Sequence, residues 1–134
     1  MTGYSNTPLF KKLGMKEGAK VKLINAPENY PVLIGAFIDQ LIISNKATTD
    51  LDLIHFFTNS QQEFGKVLPG LKLQIKKNGM IWVSWYKKGA GKHTELTEHI
   101  VRDTALAIGL VDVKVCAVDQ DWSGLKLVFR VKDR

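Results

Sequence analysis

Apolar positions along this chain come in short runs whose period switches between two and three to four, so strands and helices should alternate. Residues 20–25 place Val21, Leu23 and Asn25 on one side and Lys22 and Ile24 on the other, a first strand that Pro27 ends. Ahead of it, Thr7 reads as a cap and Pro8 as the first turn of a short helix that Gly14 stops after Leu13. Tyr30-Pro31 opens residues 32–38, read as a short helix, and residues 40–44 have the β-branched character of a second strand. Leu53-Ile54-His55-Phe56-Phe57 is almost continuously apolar, as expected of a strand covered on both faces in a parallel sheet. It is the expected central strand.

Ser60-Gln61-Gln62-Glu63 matches a capping box, and Phe64, Leu68, Leu71 and Ile75 then form one helical stripe. Pro69 lacks an N–H and crowds the carbonyl four residues earlier, so the helix is expected to break near Leu68, with Asn78-Gly79 ending its second piece. Residues 80–85 read as the next strand, with Trp82 and Trp85 on opposite faces. Thr94 can cap a further helix in which Leu96, Ile100, Val101, Ala107 and Ile108 share a face opposite Glu98, His99 and Arg102. After Gly109, alternating runs at 111–118 and 125–131 are joined by the polar residues 119–124, a terminal hairpin. No repeat, low-complexity tract or linker interrupts the pattern, and residues 1–134 are read as one domain. Strands alternating with helices imply an α/β fold with helices on both faces of the sheet.

This order of elements is similar to the class I methyltransferase fold: residues 52–57 look like that family's fourth strand, 71–80 like the lead into its fifth, and 111–131 like its closing hairpin. The resemblance implies a three-layer α/β/α sandwich with a mostly parallel Rossmann-like sheet and a C-terminal antiparallel hairpin. A second resemblance is carried by Thr2-Gly3-Tyr4-Ser5, Thr7-Pro8-Leu9, Lys11-Lys12-Leu13-Gly14, Asn25-Ala26-Pro27 and residues 109–128. These residues resemble a small bacterial family of uncharacterised domains, which implies a fold and a bacterial origin and no activity. The methyltransferase likeness would bring adenosylmethionine, but the turn after the first strand, Asn25-Ala26-Pro27-Glu28-Asn29-Tyr30, has no glycine to let a backbone approach the cofactor. Ser44-Asn45-Lys46 stands where an acid would hold the ribose. No cofactor is expected.

A chain of 134 residues, 45% hydrophobic and 24% charged, has the composition of a water-soluble protein with one core. The opening residues lack a basic region followed by an apolar run, no spanning stretch follows, and the sole cysteine, Cys116, fits a reducing compartment, so a cytoplasmic location is expected. The net charge of +6 is concentrated where no acid occurs between Glu63 and Glu95, a stretch holding Lys66, Lys72, Lys76, Lys77, Lys87, Lys88 and Lys92. A solvated helix face plus a basic loop is the leading reading, and a basic docking surface the other.

In an open parallel sheet ligands favour the crevice beyond the carboxyl ends of the strands. Topology therefore selects Asn25, Asn29, Asn59, Ser60, Tyr86, Lys87 and Lys88, whose amides, hydroxyls and ammonium groups suit an anion, with backbone donors added by helix starts at Ser60 and Thr94. The loop at residues 87–94 contains Gly91-Lys92 but not the spacing of a phosphate-binding loop. The histidines lack metal spacing, so no metal is expected, and His55 reads as a core residue with a backbone partner. Cys116 reads as inert mid-strand packing, and Ser123 lacks the glycine flanks of a hydrolase nucleophile. Trp122, in a polar turn, either anchors its own hairpin or stands out as an interface residue. No catalytic cluster emerges. The expectation is a noncatalytic protein that binds an anionic ligand or a protein partner at the carboxyl edge. The alternatives are a divergent enzyme of the same fold, using Tyr86, Lys87 or His93 on a substrate, and a weak nonspecific nucleic-acid binder that no recognised motif supports.

Overall fold

The computed structural model describes residues 7–134; the match at Thr2-Gly3-Tyr4-Ser5 lies outside them. Six strands form one sheet: β1 (Lys20–Ile24), β2 (Ile42–Ile43), β3 (Leu51–Phe57), β4 (Ile75–Tyr86), β5 (Leu110–Ala117) and β6 (Trp122–Phe129), in spatial order β2-β1-β3-β4-β6-β5. The first four run parallel, and β6 lies antiparallel between β4 and β5. Helices α3 (Gln61–Lys72) and α4 (Glu98–Ala107) bring Phe64, Leu68, Leu71, Val101 and Ala105 against one face, over Ile54, Phe56, Val83 and Trp85. On the other face α1 (Leu9–Lys12), α2 (Tyr30–Ile34) and the residues around them bring Leu13, Met15, Tyr30 and Ile34 over Val21, Leu53, Phe57 and Trp82. The three layers and the closing hairpin are as the sequence implied.

β3 is covered on both faces because its side chains alternate between two apolar clusters, Ile54 and Phe56 in one, Leu53 and Phe57 in the other. Trp82 and Trp85 divide in the same way, and Trp82 Nε1 donates to the Leu13 carbonyl at 2.8 Å, tying α1 to the sheet. Five local expectations need correction. Pro69 does not divide α3: the helix continues to Lys72, the missing N–H forfeiting the one bond to the Gly65 carbonyl. Ile75, Asn78 and Gly79 belong to β4, whose register against β3 shifts between Leu51 and Leu53. Ile75 shared the helical stripe because the turn after α3 returns it to the same apolar cluster. Thr94 does not cap α4: Thr97 does, its Oγ1 accepting from Ile100 N at 3.2 Å, while Thr94 Oγ1 accepts from Leu96 N. Ala107 is exposed, and Ala105 packs in its stead.

The remaining differences are of extent. Pro8 itself stands at the boundary of α1, α2 begins at Tyr30 and tightens into a 3-10 turn at Gly35–Gln40, and β2 keeps only two residues. Among the described residues no helix is long and apolar enough to cross a membrane.

Candidate functional site

The carboxyl ends of β1, β3 and β4 form one edge, and its two halves differ. Where β1 meets β3, the strand order reverses direction and a crevice is expected. There Asn25 takes a left-handed conformation, φ +59, which its short amide tolerates, and its Nδ2 donates across to the Phe57 carbonyl at 3.0 Å. The same nitrogen lies 3.4 Å from both carboxylate oxygens of Glu63, and Thr58 Oγ1 donates to Glu63 at 2.5 Å. Ser60 Oγ accepts from Glu63 N, so one half of the expected capping box forms while the Glu63 carboxylate turns to Thr58 and Asn25. The chain's own groups thus bridge the crevice. Asn45 is likewise engaged, its Oδ1 accepting from Leu23 N at 2.9 Å.

The other half is open. A groove of about 410 Å³ runs between the end of β4 and the start of α4. Trp85 and Leu96, both buried, form its apolar floor. Tyr86, Thr94, Thr97 and Ser123 supply hydroxyls, and Lys87, Lys88 and Glu98 complete the lining. Glu98 is paired with Arg102, one turn further along α4. The loop that shapes this groove is held at several points: Glu95 N donates to the Asn59 carbonyl at 2.9 Å, and Asn59 Oδ1 accepts from Tyr86 N at 2.8 Å. Lys87 N donates to the Asp121 carbonyl at 2.8 Å, and Lys92 pairs with the Asp121 carboxylate at 3.0 Å, which raises the Lys92 pKa.

Of the residues selected from sequence, Tyr86, Lys87 and Lys88 line the groove and Asn59 stands at its base. Asn25 and Ser60 are taken up by internal hydrogen bonds, and Asn29 sits exposed just before α2. The expected donors at the start of α3 are already occupied, because Gln61 N donates to the Glu95 carboxylate at 2.9 Å. Trp122 is half-buried on the α1 face, its ring packed edge-on to Phe57 at 4.9 Å and tilted against Tyr86 at 4.4 Å. Its contacts reach two neighbouring strands rather than its own hairpin alone. The lysines of residues 66–92 do not form one surface: Lys72 and Lys77 lie over Phe129 near the start of β4, Lys76 pairs with Asp52, and Lys87 and Lys88 stand at the far end.

A buried polar chain was not foreseen. His55 is fully buried and meets Tyr30 Oη at 2.8 Å through Nδ1 and Ser84 Oγ at 2.7 Å through Nε2, two side-chain partners where a backbone partner was expected. Burial pushes the imidazole down to about 3 and the Tyr30 phenol upward, so both are neutral. The sequence signal was present only as three polar residues in apolar surroundings. Cys116 is buried as expected, and burial raises its thiol pKa. Among the described residues no group of His, Cys, Asp and Glu is placed to hold a metal ion.

The fold has counterparts among solved structures. A Sulfolobus solfataricus protein described as a type 11 methyltransferase matches with a TM-score of 0.63 at 17% identity, over 92% of this chain and 90% of that one. A SAM-dependent methyltransferase from Aquifex aeolicus matches with a TM-score of 0.63 at 15% identity, over 89% and 86%. A TehB-like SAM-dependent methyltransferase from Corynebacterium glutamicum matches with 0.59 at 13%, over 96% and 90%. These identities establish a shared architecture and nothing about activity. No curated protein matches the chain. The model of a protein family of unknown function, DUF3052, matches residues 11–131, and with nearly the whole fold inside that match the chain belongs to the DUF3052 family.

Proposed function

We propose that this protein binds an organic anion in the groove between β4 and α4 and does so without adenosylmethionine. The observation that carries the reading is the groove itself, a volume of about 410 Å³ with an apolar floor and with Lys87 and Lys88 among its lining residues. Ligand sites combine these features, an apolar body held by a few convergent polar groups. A nucleoside monophosphate has the matching form, a flat ring for the apolar floor of Trp85 and Leu96 and a dianion for the lysines.

The residues at the β1–β3 crevice do not fit adenosylmethionine. Its amino-acid carboxylate would approach the place where the Glu63 carboxylate already receives Asn25 and Thr58. No glycine follows β1 to admit it. The second reading, an enzyme of the same architecture with an altered site, draws its support from the methyltransferase likeness.

Calorimetric titration with adenosine monophosphate tests the proposal, using the unaltered protein and a Lys87→Ala/Lys88→Ala variant. Binding that weakens about tenfold or more in the variant is the expected result. Absence of heat, or equal affinity in both proteins, would refute it, and binding of adenosylmethionine would favour the second reading.

A further inference from the structure

At the opposite end of the sheet, on the α1 face, a hollow of about 310 Å³ is lined by Asn78, Gly79, Val113, Lys126, Val128 and Arg134. Lys126 stands directly opposite Lys114 across the β5–β6 ladder. Like charges in that relation are destabilising. Among the described residues, no Asp or Glu lines this hollow, and the Lys126 ammonium has neither a hydrogen bond nor an ion pair. Lys114 Nζ reaches only the Lys12 carbonyl, at 3.3 Å, and Arg134 Nε the Phe129 carbonyl, at 3.1 Å. Lys126 and Arg134 thus stand in the hollow, with Lys114 facing Lys126 at its edge, and no acidic side chain of the described residues lines it.

We propose that this hollow is a binding site for a phosphate-bearing anion, with Lys114, Lys126 and Arg134 as its cationic ligands and the Asn78 amide beside them. Convergence of three charges favours a multivalent anion over a single carboxylate. The guanidinium offers paired donors that match phosphoryl oxygens, and the walls of Val113 and Val128 lower the local dielectric that the charges feel. Without the anion the site is electrostatically frustrated: burial and the neighbouring Lys114 and Arg134 together lower the Lys126 pKa. The site is separate from the carboxyl-edge groove and does not depend on it.

The probe is inorganic pyrophosphate, titrated calorimetrically into the full chain beside thermal unfolding curves. The unaltered protein should bind and melt higher with pyrophosphate. Lys126→Met should weaken binding about tenfold or more, and should itself melt higher than the unaltered protein when no anion is present, because the like-charge contact is gone. Lys114→Gln, at an exposed position, repeats the test should Lys126→Met fail to fold. No heat in the unaltered protein, or undiminished binding in Lys126→Met or Lys114→Gln, would overturn the proposal. Binding of a single-stranded polynucleotide without pyrophosphate binding would also overturn it, since that places an extended polyanion on the surface rather than a ligand in the hollow.

Discussion

A neutral imidazole has one donor and one acceptor nitrogen, so His55 fits between two hydroxyls only while it stays unprotonated. Its pKa is pushed from 6.5 to about 3 by burial. Between those values the unfolded chain binds a proton that the folded chain does not, so stability is lost as pH falls from about 6.5 toward 3, by about 1.4 kcal/mol per unit. Urea unfolding at pH 7 and pH 5 should register a fall of about 2 kcal/mol from this group. A His55→Gln variant should have a flatter response over the same interval; an equally steep one would assign the fall elsewhere. Ser84→Ala, which leaves Nε2 without its partner, should cost about 1–3 kcal/mol in the same measurement. The burial of His55 was legible in sequence but its partners were not, because His55, Tyr30 and Ser84 are remote along the chain and meet only through the packing of α2 on β3 and β4.

At the scale of elements, the pattern located all six strands and the four α-helices but misplaced some ends, among them β6, which starts at Trp122 inside the stretch read as a turn and stops at Phe129. The period that marks a helix marks any residue that returns to the same cluster, so Ile75 was counted in α3 although it opens β4. Threonines at 94 and 97 both precede α4, and only the structure distinguishes them: Thr97→Ala should destabilise the protein by about 1 kcal/mol, and Thr94→Ala by less, in chemical denaturation. Asn78-Gly79 looked like a helix stop because glycine and asparagine end helices, but Gly79 serves a close approach inside β4. A Cβ there would lie 2.9 Å from the Leu51 carbonyl and 3.0 Å from that of Lys76. Backbone atoms cannot yield as a side chain can, and Gly79→Ala should cost about 1–3 kcal/mol, read as a lowered denaturation midpoint.

Over the whole molecule, alternation of periods was enough to give the layered sheet and its closing hairpin, since burial on both faces and the order of elements leave few arrangements. The candidate site was legible only in part. Tyr86, Lys87 and Lys88 follow from topology, yet the groove they line also needs Leu96, Thr97 and Ser123, which the loop fold and the hairpin bring in from elsewhere. The lysine-rich stretch is split because Lys77 lies near the start of β4 and Lys87 just beyond its end. Positive charge is therefore presented at two ends of the sheet, not on one basic face.

The proposed ligand site is the β4–α4 groove rather than the β1–β3 crevice. Amide chemical-shift mapping with adenosine monophosphate and, separately, adenosylmethionine tests it most directly. The account predicts that the nucleotide shifts residues 85–88, 94–98 and Ser123, and that adenosylmethionine leaves residues 25–30 and Glu63 unmoved. Shifts at Asn25, Asn29 and Glu63 on addition of adenosylmethionine would contradict it and return the site to the crevice.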